Sequence, residues 1–300
     1  MLSTIGRIDT PLPAAEAVVI GLLAFIVVNG RILWKVATHA ETVLHESAHA
    51  LTGIAAGRRI RSVDIDKNGG GSTVMVPASG FGFGVAAFVG YIGPSIAGLI
   101  AAELISAGRM VAVLWLGLLL FAFMVLLVSN FFGAIVVLTY GVLLYLIVRY
   151  TTAGVQVAVA YGVTWFLLLS GTKVAFAAAS RPDGVTDAGI LAGMTFLWRS
   201  AWCFLWLVGA IAALMIGGAV LIRALAEGWN HAHEPRATGV MMIWGPPPRG
   251  KADVAVCLEP LRPAAVRQRT EAGKIGLTAL QSPADALPSV VQQLPEFTRG

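Results

Sequence analysis

The sequence predicts an all-α polytopic membrane protein: a bundle of about six transmembrane helices, one short β-hairpin near the start, and a disordered C-terminal tail. Three observations predict it. Of the 300 residues, 57% are hydrophobic and only 12% charged, with a mean hydropathy of +0.79, outside the range of ordinary soluble domains. Charge-free runs of 39 residues (Met110 to Val148), 23 residues (Tyr150 to Thr172) and 23 residues (Ser200 to Ile222) compare with the roughly 20 residues one crossing needs. The first run therefore holds two spans and the others one each. Finally, residues 224–300 carry nine of the 14 prolines and no sustained periodicity, a composition that cannot bury enough apolar surface to fold on its own.

The elements follow in order. Residues 1–16 form a polar lead. Ala17 to Val28 is a first span, followed by Arg31 and Lys35, whose stems lie in hydrocarbon while their charges reach the headgroups. No small-residue cleavage site follows, so the segment reads as a signal anchor rather than a removed signal peptide. "THAE" at Thr38 to Glu41 has capping-box spacing and predicts a helix start. That helix is expected to run to about Ala56, because Gly57, Arg58 and Arg59 place a stop and cations at its negative end. From Ile60 to Val76 the chain alternates around "KNGGG", which predicts a two-stranded hairpin. Non-helical backbone at membrane depth survives only where it is buried in protein or lines a wet cavity, so the hairpin implies a cavity beside it. Gly80 to Gly108 is rich in glycine and alanine with Pro94 inside, the composition of a helix packed closely in a bundle and kinked at the proline. The 39-residue run is expected to turn at Ser129 and Asn130. A polar interruption from Lys173 to Arg199 contains a turn signal at Pro182, Asp183 and Gly184, and the last span follows.

Charge and cysteine exclude some functions. Two distant cysteines, Cys203 and Cys257, give neither a disulfide framework nor a Cys-x-x-Cys metal pair. The net charge of +5 comes largely from basic residues at span ends and in the tail, where topology explains them, and no mixed basic and aromatic patch points to nucleic acid. The partners implied are the lipid bilayer and whatever is embedded in it.

One motif carries chemistry. In "TVLHESAHALTG", His45 and His49 stand at i and i+4, so on a helix both imidazoles aim at one point. Zinc accepts neutral imidazole there and keeps a position open for water beside three protein ligands. Glu46, rotated by roughly 100°, is turned away from the ion yet within reach of its water, the place of a general base. An idle, wet interfacial helix is the alternative. The apolar flank of Val43, Leu44, Ala48, Ala50 and Leu51 argues against it, since ionisable groups among lipid-facing neighbours are functional by default. For a third ligand, His39 lies near the start of the helix on a different side, and His231 and His233 lie past the final span. Asp183 fits a turn. Asp187, opening an apolar helix after a potential Thr186 cap, is the better donor, with Asp183 its rival.

"HESAH", the glycine-rich strand region, "GYIGPSIAG" at Gly90 to Gly98, "SNFFG" at Ser129 to Gly133 and "TDAGILAGMT" at Thr186 to Thr195 together resemble the site-2 protease family, in its compact bacterial branch, over about residues 38–200. The Asn-Pro and Leu-Asp-Gly strings of better-studied members have no counterpart here, and Thr186, Asp187 and Ala188 match the compact branch instead. The resemblance implies zinc bound by His45, His49 and Asp187, Glu46 as the catalytic base, and Asn130, Gly93 and Pro94 as candidates for shaping the substrate groove or stabilising the oxyanion. With the flanking spans, residues 17–223 are expected to form a membrane-embedded zinc metalloprotease domain, and the Pro-rich tail, residues 224–300, lies outside the resemblance. The expected activity is hydrolysis of a membrane-anchored protein at a peptide bond in or near its transmembrane segment, in a multi-pass protein of the bacterial plasma membrane. The competing expectation is a non-catalytic scaffold or transporter retaining a metal-binding motif.

Overall fold

Helix α1 (Ala14–Asn29) breaks at Gly30, and α2 (Arg31–Ala55) leaves it at 95°. Gly30 takes an extended conformation, φ −70° and ψ 119°, and a Cβ there would stand 2.7 Å from the Ile26 carbonyl oxygen. The break strands carbonyls at the end of α1. Lys173 supplies a donor from the sixth helix: its ammonium donates to the Val28 carbonyl at 2.5 Å and lies 3.9 Å from the centroid of the Trp34 ring, a cation–π contact that satisfies a lysine within the bundle.

The computed structural model describes residues 7–180 and 186–233, with side chains to residue 222. After α2 come β1 (Arg59–Ile65), β2 (Gly71–Val76), α3 (Phe81–Ser106), α4 (Met110–Leu127), α5 (Phe131–Tyr150), α6 (Ala153–Ala178), α7 (Asp187–Met194) and α8 (Arg199–His233). Five of these helices, α3, α4, α5, α6 and the Arg199–Ile222 part of α8, are long and apolar enough to cross a membrane. The count reaches six if the bent α1–α2 pair is one span. This is the architecture of a multi-pass membrane protein, mostly helical with one small sheet. The turn expected at Pro182 to Gly184 and the tail beyond residue 233 lie outside the described residues.

One expected boundary is corrected. Thr38 and Glu41 do not cap a helix start, because α2 already begins at Arg31 and runs unbroken through them. Both side chains are used by the tertiary structure instead. Thr38 packs beneath Gly69 of the hairpin loop, and Glu41 is buried on a cavity wall. The other end is as expected: α2 stops at Ala55, and Gly57 takes φ +73°, a left-handed conformation that glycine adopts without strain.

Three buried clusters hold the bundle. One joins α1, α3, α4, α6 and α8 around Ile105, Leu114, Tyr161 and Leu168. A second joins α3, α6, α7 and α8 around Tyr91, Leu191 and Trp206. The third packs α2 and β1 on α4 and α5 around Val43, Ile65 and Met124. Lipid is as apolar as leucine, so association rests on close van der Waals fit more than on exclusion of water. Small residues supply that fit: Gly98 admits Leu168 and Gly171 admits Ser95 between α3 and α6, and Gly93 of α3 lies against Ala48 of α2, where a Cβ would come within 2.6 Å of the alanine methyl. Helix α3 continues through Pro94, which is buried.

The hairpin is antiparallel, pairing Ile60 with Met75, Val63 with Thr73 and Ile65 with Gly71. Its outer strand is pinned from the α4–α5 turn. The Asn130 carboxamide accepts from the Ile65 N–H at 3.1 Å and donates to the Ile65 carbonyl at 2.8 Å, and Ser129 N donates to the Val63 carbonyl at 2.9 Å. Asn130 thus takes the place of a neighbouring strand. Asn130→Ala leaves both Ile65 groups without that partner and is expected to destabilise the fold by about 1–3 kcal/mol, read as a lower melting temperature of the detergent-solubilised protein.

Candidate metal centre

The site lies where α2, β2, α3 and α7 converge on a cavity of about 240 Å³. Helix geometry puts His45 and His49 on one side of α2, and Asp187 enters from the first turn of α7. Thr186 caps that helix by accepting from the Gly189 N–H at 3.2 Å, and the positive end of the helix dipole favours a carboxylate at Asp187. Ala188 and Leu191, buried in the second cluster, anchor α7.

Three donor atoms meet. His45 Nε2 and His49 Nε2 are 3.1 Å apart, and each lies 3.3 Å from Asp187 Oδ2. His49 Nδ1 sits 2.8 Å from the Ala86 carbonyl; a carbonyl only accepts, so Nδ1 carries a proton, and the nitrogen turned toward the other two donors is Nε2, the one a metal would bind. Lone pairs converging so closely repel unless a positive charge lies among them. The spacing matches the edge of roughly 3.3 Å expected of a tetrahedron with bonds of about 2.0–2.1 Å. The residues present therefore fit a metal ion, and among the described residues His45, His49 and Asp187 form the group able to hold one.

Aromatic rings pack behind the donors. The Tyr91 ring meets His45 edge-on at 4.7 Å and stacks on Trp206 at 4.4 Å, whose indole N–H donates to the Phe88 carbonyl. Gly90 faces His49 directly, and a Cβ there would collide with the imidazole. Gly90→Ala is accordingly expected to weaken metal binding by about 10–100-fold, the range seen when an outer-shell contact to a ligand is lost. Zinc titration against a competing chelator measures it.

Glu46 is 3% exposed and sits on the cavity wall beside the donors, outside the metal group. Its Oε2 accepts from the Thr73 hydroxyl of β2 at 2.7 Å. A second clasp holds the hairpin loop to the same helix: the Thr42 hydroxyl donates to the Gly69 carbonyl at 2.8 Å. A family model described as Peptidase M50B-like matches residues 17–217, more than half of the chain. The chain belongs to that family, a branch of the site-2 proteases. No curated protein and no solved structure matches it.

In this M50B-like chain the structure brings His45, His49, Glu46 and Asp187 to one cavity. It does not bring Asn130, Gly93 or Pro94 there. Asn130 pairs with the far strand of the hairpin, Gly93 lies against Ala48 of α2, Pro94 is buried, and none of the three lines the cavity. Asp183 lies outside the described residues. His39 sits against the hairpin loop, 3.3 Å from the Lys67 carbonyl, with its ring edge-on to Phe132. Thr73, Tyr91 and Glu41 line the cavity without having been singled out as site residues by the sequence reading. Glu41 was legible as i−4 from His45, on the same helix face. Thr73 follows Ser72 at the start of a strand that turns apolar from Val74, and nothing local sets it apart.

Proposed function

We propose that the chain is a membrane-embedded zinc metallopeptidase that hydrolyses a peptide bond of a membrane-anchored protein, in or near its transmembrane segment. The observation that carries this reading is the closeness of three ligand atoms from two distant parts of the chain, with a buried carboxylate beside them. His45 Nε2, His49 Nε2 and Asp187 Oδ2 would hold the ion. When bound, zinc supplies a Lewis acid that polarises the scissile carbonyl and acidifies a water at neutral pH. Glu46, buried beside the donors, would take a proton from the attacking water and return it to the departing amine. Tyr91 and Trp206 keep the His45 ring in place, and the Ala86 carbonyl keeps His49 in the tautomer that binds. The cavity keeps these groups within the bundle, where lipid would otherwise exclude water.

Substrate presentation follows from the hairpin. A helical peptide bond is shielded by its own backbone and side chains. An unwound segment laid beside β2 as an added strand exposes it, and Gly71 and Thr73 of β2 line the cavity next to Glu46. The chain is read as a multi-pass protein of the bacterial plasma membrane. The test is zinc content together with cleavage of a single-span model substrate in detergent or vesicles, comparing wild type with Glu46→Gln. Stoichiometric zinc and cleavage that disappears in the variant support the reading. A zinc-free protein, or turnover that the variant retains, overturns it.

A further inference from the structure

We infer that Thr73 is a positioning residue for Glu46, so that strand β2, and not only helix α2, sets where the basic carboxylate points. The inference rests on the peptidase reading above and concerns the same site.

Glu46 has three side-chain torsions, and a glutamate free to sample them would spend little time aimed at the water it must deprotonate. Two contacts from β2 restrict it. On one side, the Thr73 hydroxyl donates to Oε2 at 2.7 Å, a charge-assisted bond stronger than a neutral one when the carboxylate is ionised. On the other side, Oε1 approaches Gly71 so closely that a Cβ there would stand 2.7 Å from it and 2.8 Å from the Thr42 methyl. The carboxylate is therefore held in a slot made by residues 71 and 73, which project from the same face of the strand.

The slot is stiff because of what lies behind it. Threonine is β-branched, with few χ1 choices on a strand. Thr73 pairs with Val63 in β1, and β1 is pinned to the α4–α5 turn through Ser129 and Asn130. A continuous line of hydrogen bonds and strand pairing thus runs from the α4–α5 turn to the carboxylate of Glu46. A valine at 73 would fill the same space without a donor, and Val74 and Val76 beside it are already apolar. The hydroxyl is the feature that distinguishes this position.

The experiment uses the full-length protein with Thr73→Val, which keeps the shape and removes the donor, and Thr73→Ser, which keeps the donor. Zinc content, kcat and KM are measured for each on the same single-span substrate. The expected result is a kcat lowered by about 10–100-fold in Thr73→Val, the scale of a catalytic group displaced by an ångström or less, with KM and zinc content unchanged. Thr73→Ser should return to within a few-fold of wild type. A Thr73→Val protein with wild-type kcat overturns the inference, as does a Thr73→Ser protein as slow as the valine variant, or a loss confined to KM. Wild-type protein with no turnover would overturn the peptidase reading and this inference together. An active wild type with an equally active Thr73→Val would overturn this inference alone.

Discussion

Glu46→Gln is expected to lower kcat by about 10²–10⁴-fold, the usual contribution of a general acid–base group, while leaving the metal in place. The two halves of that expectation have separate causes. Glutamine keeps the length and shape of glutamate, and its amide oxygen can still accept from the Thr73 hydroxyl, so the slot on β2 stays occupied. The donor atoms of His45, His49 and Asp187 belong to other side chains and keep their 3.1–3.3 Å spacing. What is lost is a group that can take a proton at neutral pH. Metal analysis beside a cleavage assay separates the two, and a scaffold retaining an idle motif would show no change in any cellular phenotype on the same substitution.

Asp187→Ala is expected to lose both metal and activity. Removing a direct ligand leaves two imidazoles from one helix turn, so affinity should fall by more than the roughly 100-fold that marks the upper end for an outer-shell partner. The helix that presents the aspartate should survive, because its cap is Thr186 and its anchors are Ala188 and Leu191. Equilibrium dialysis at fixed free zinc reads the affinity, and the melting temperature checks the fold. Asp183→Ala serves as the control and is expected to bind zinc as wild type does. If the two variants exchanged behaviours, the third ligand would be Asp183 and the geometry at Asp187 would need another explanation.

Much of this was legible in the sequence because the physics is local. Charge-free runs mark α4, α5, α6 and α8 without reference to any neighbour, alternation marks the hairpin, and the four-residue spacing of His45 and His49 fixes their common face. Asp187 could be chosen because a threonine before an apolar helix is a local signal too. The misreadings came from residues with two uses. Thr38 and Glu41 satisfy the capping pattern perfectly well in isolation, yet a helix already under way from Arg31 has no orphan amides for them to serve. Thr38 packs against the hairpin loop at Gly69 instead, and Glu41 lies on the cavity wall. Asn130, a candidate for the substrate groove through the family resemblance, is used at the edge of β1, 65 positions away. Gly90 and Gly71 matter through the absence of a side chain facing His49 and Glu46, and an absence acquires meaning only once the opposing group is in place.

The carboxamide of Asn130 also decides how a guest can be received. A ribbon of two strands has two margins, and either could recruit an unfolded segment. Here the margin remote from the base is already taken, and among the described residues no third strand covers the other. On the proposed peptidase reading, an arriving polypeptide has a single berth, and it runs past Glu46.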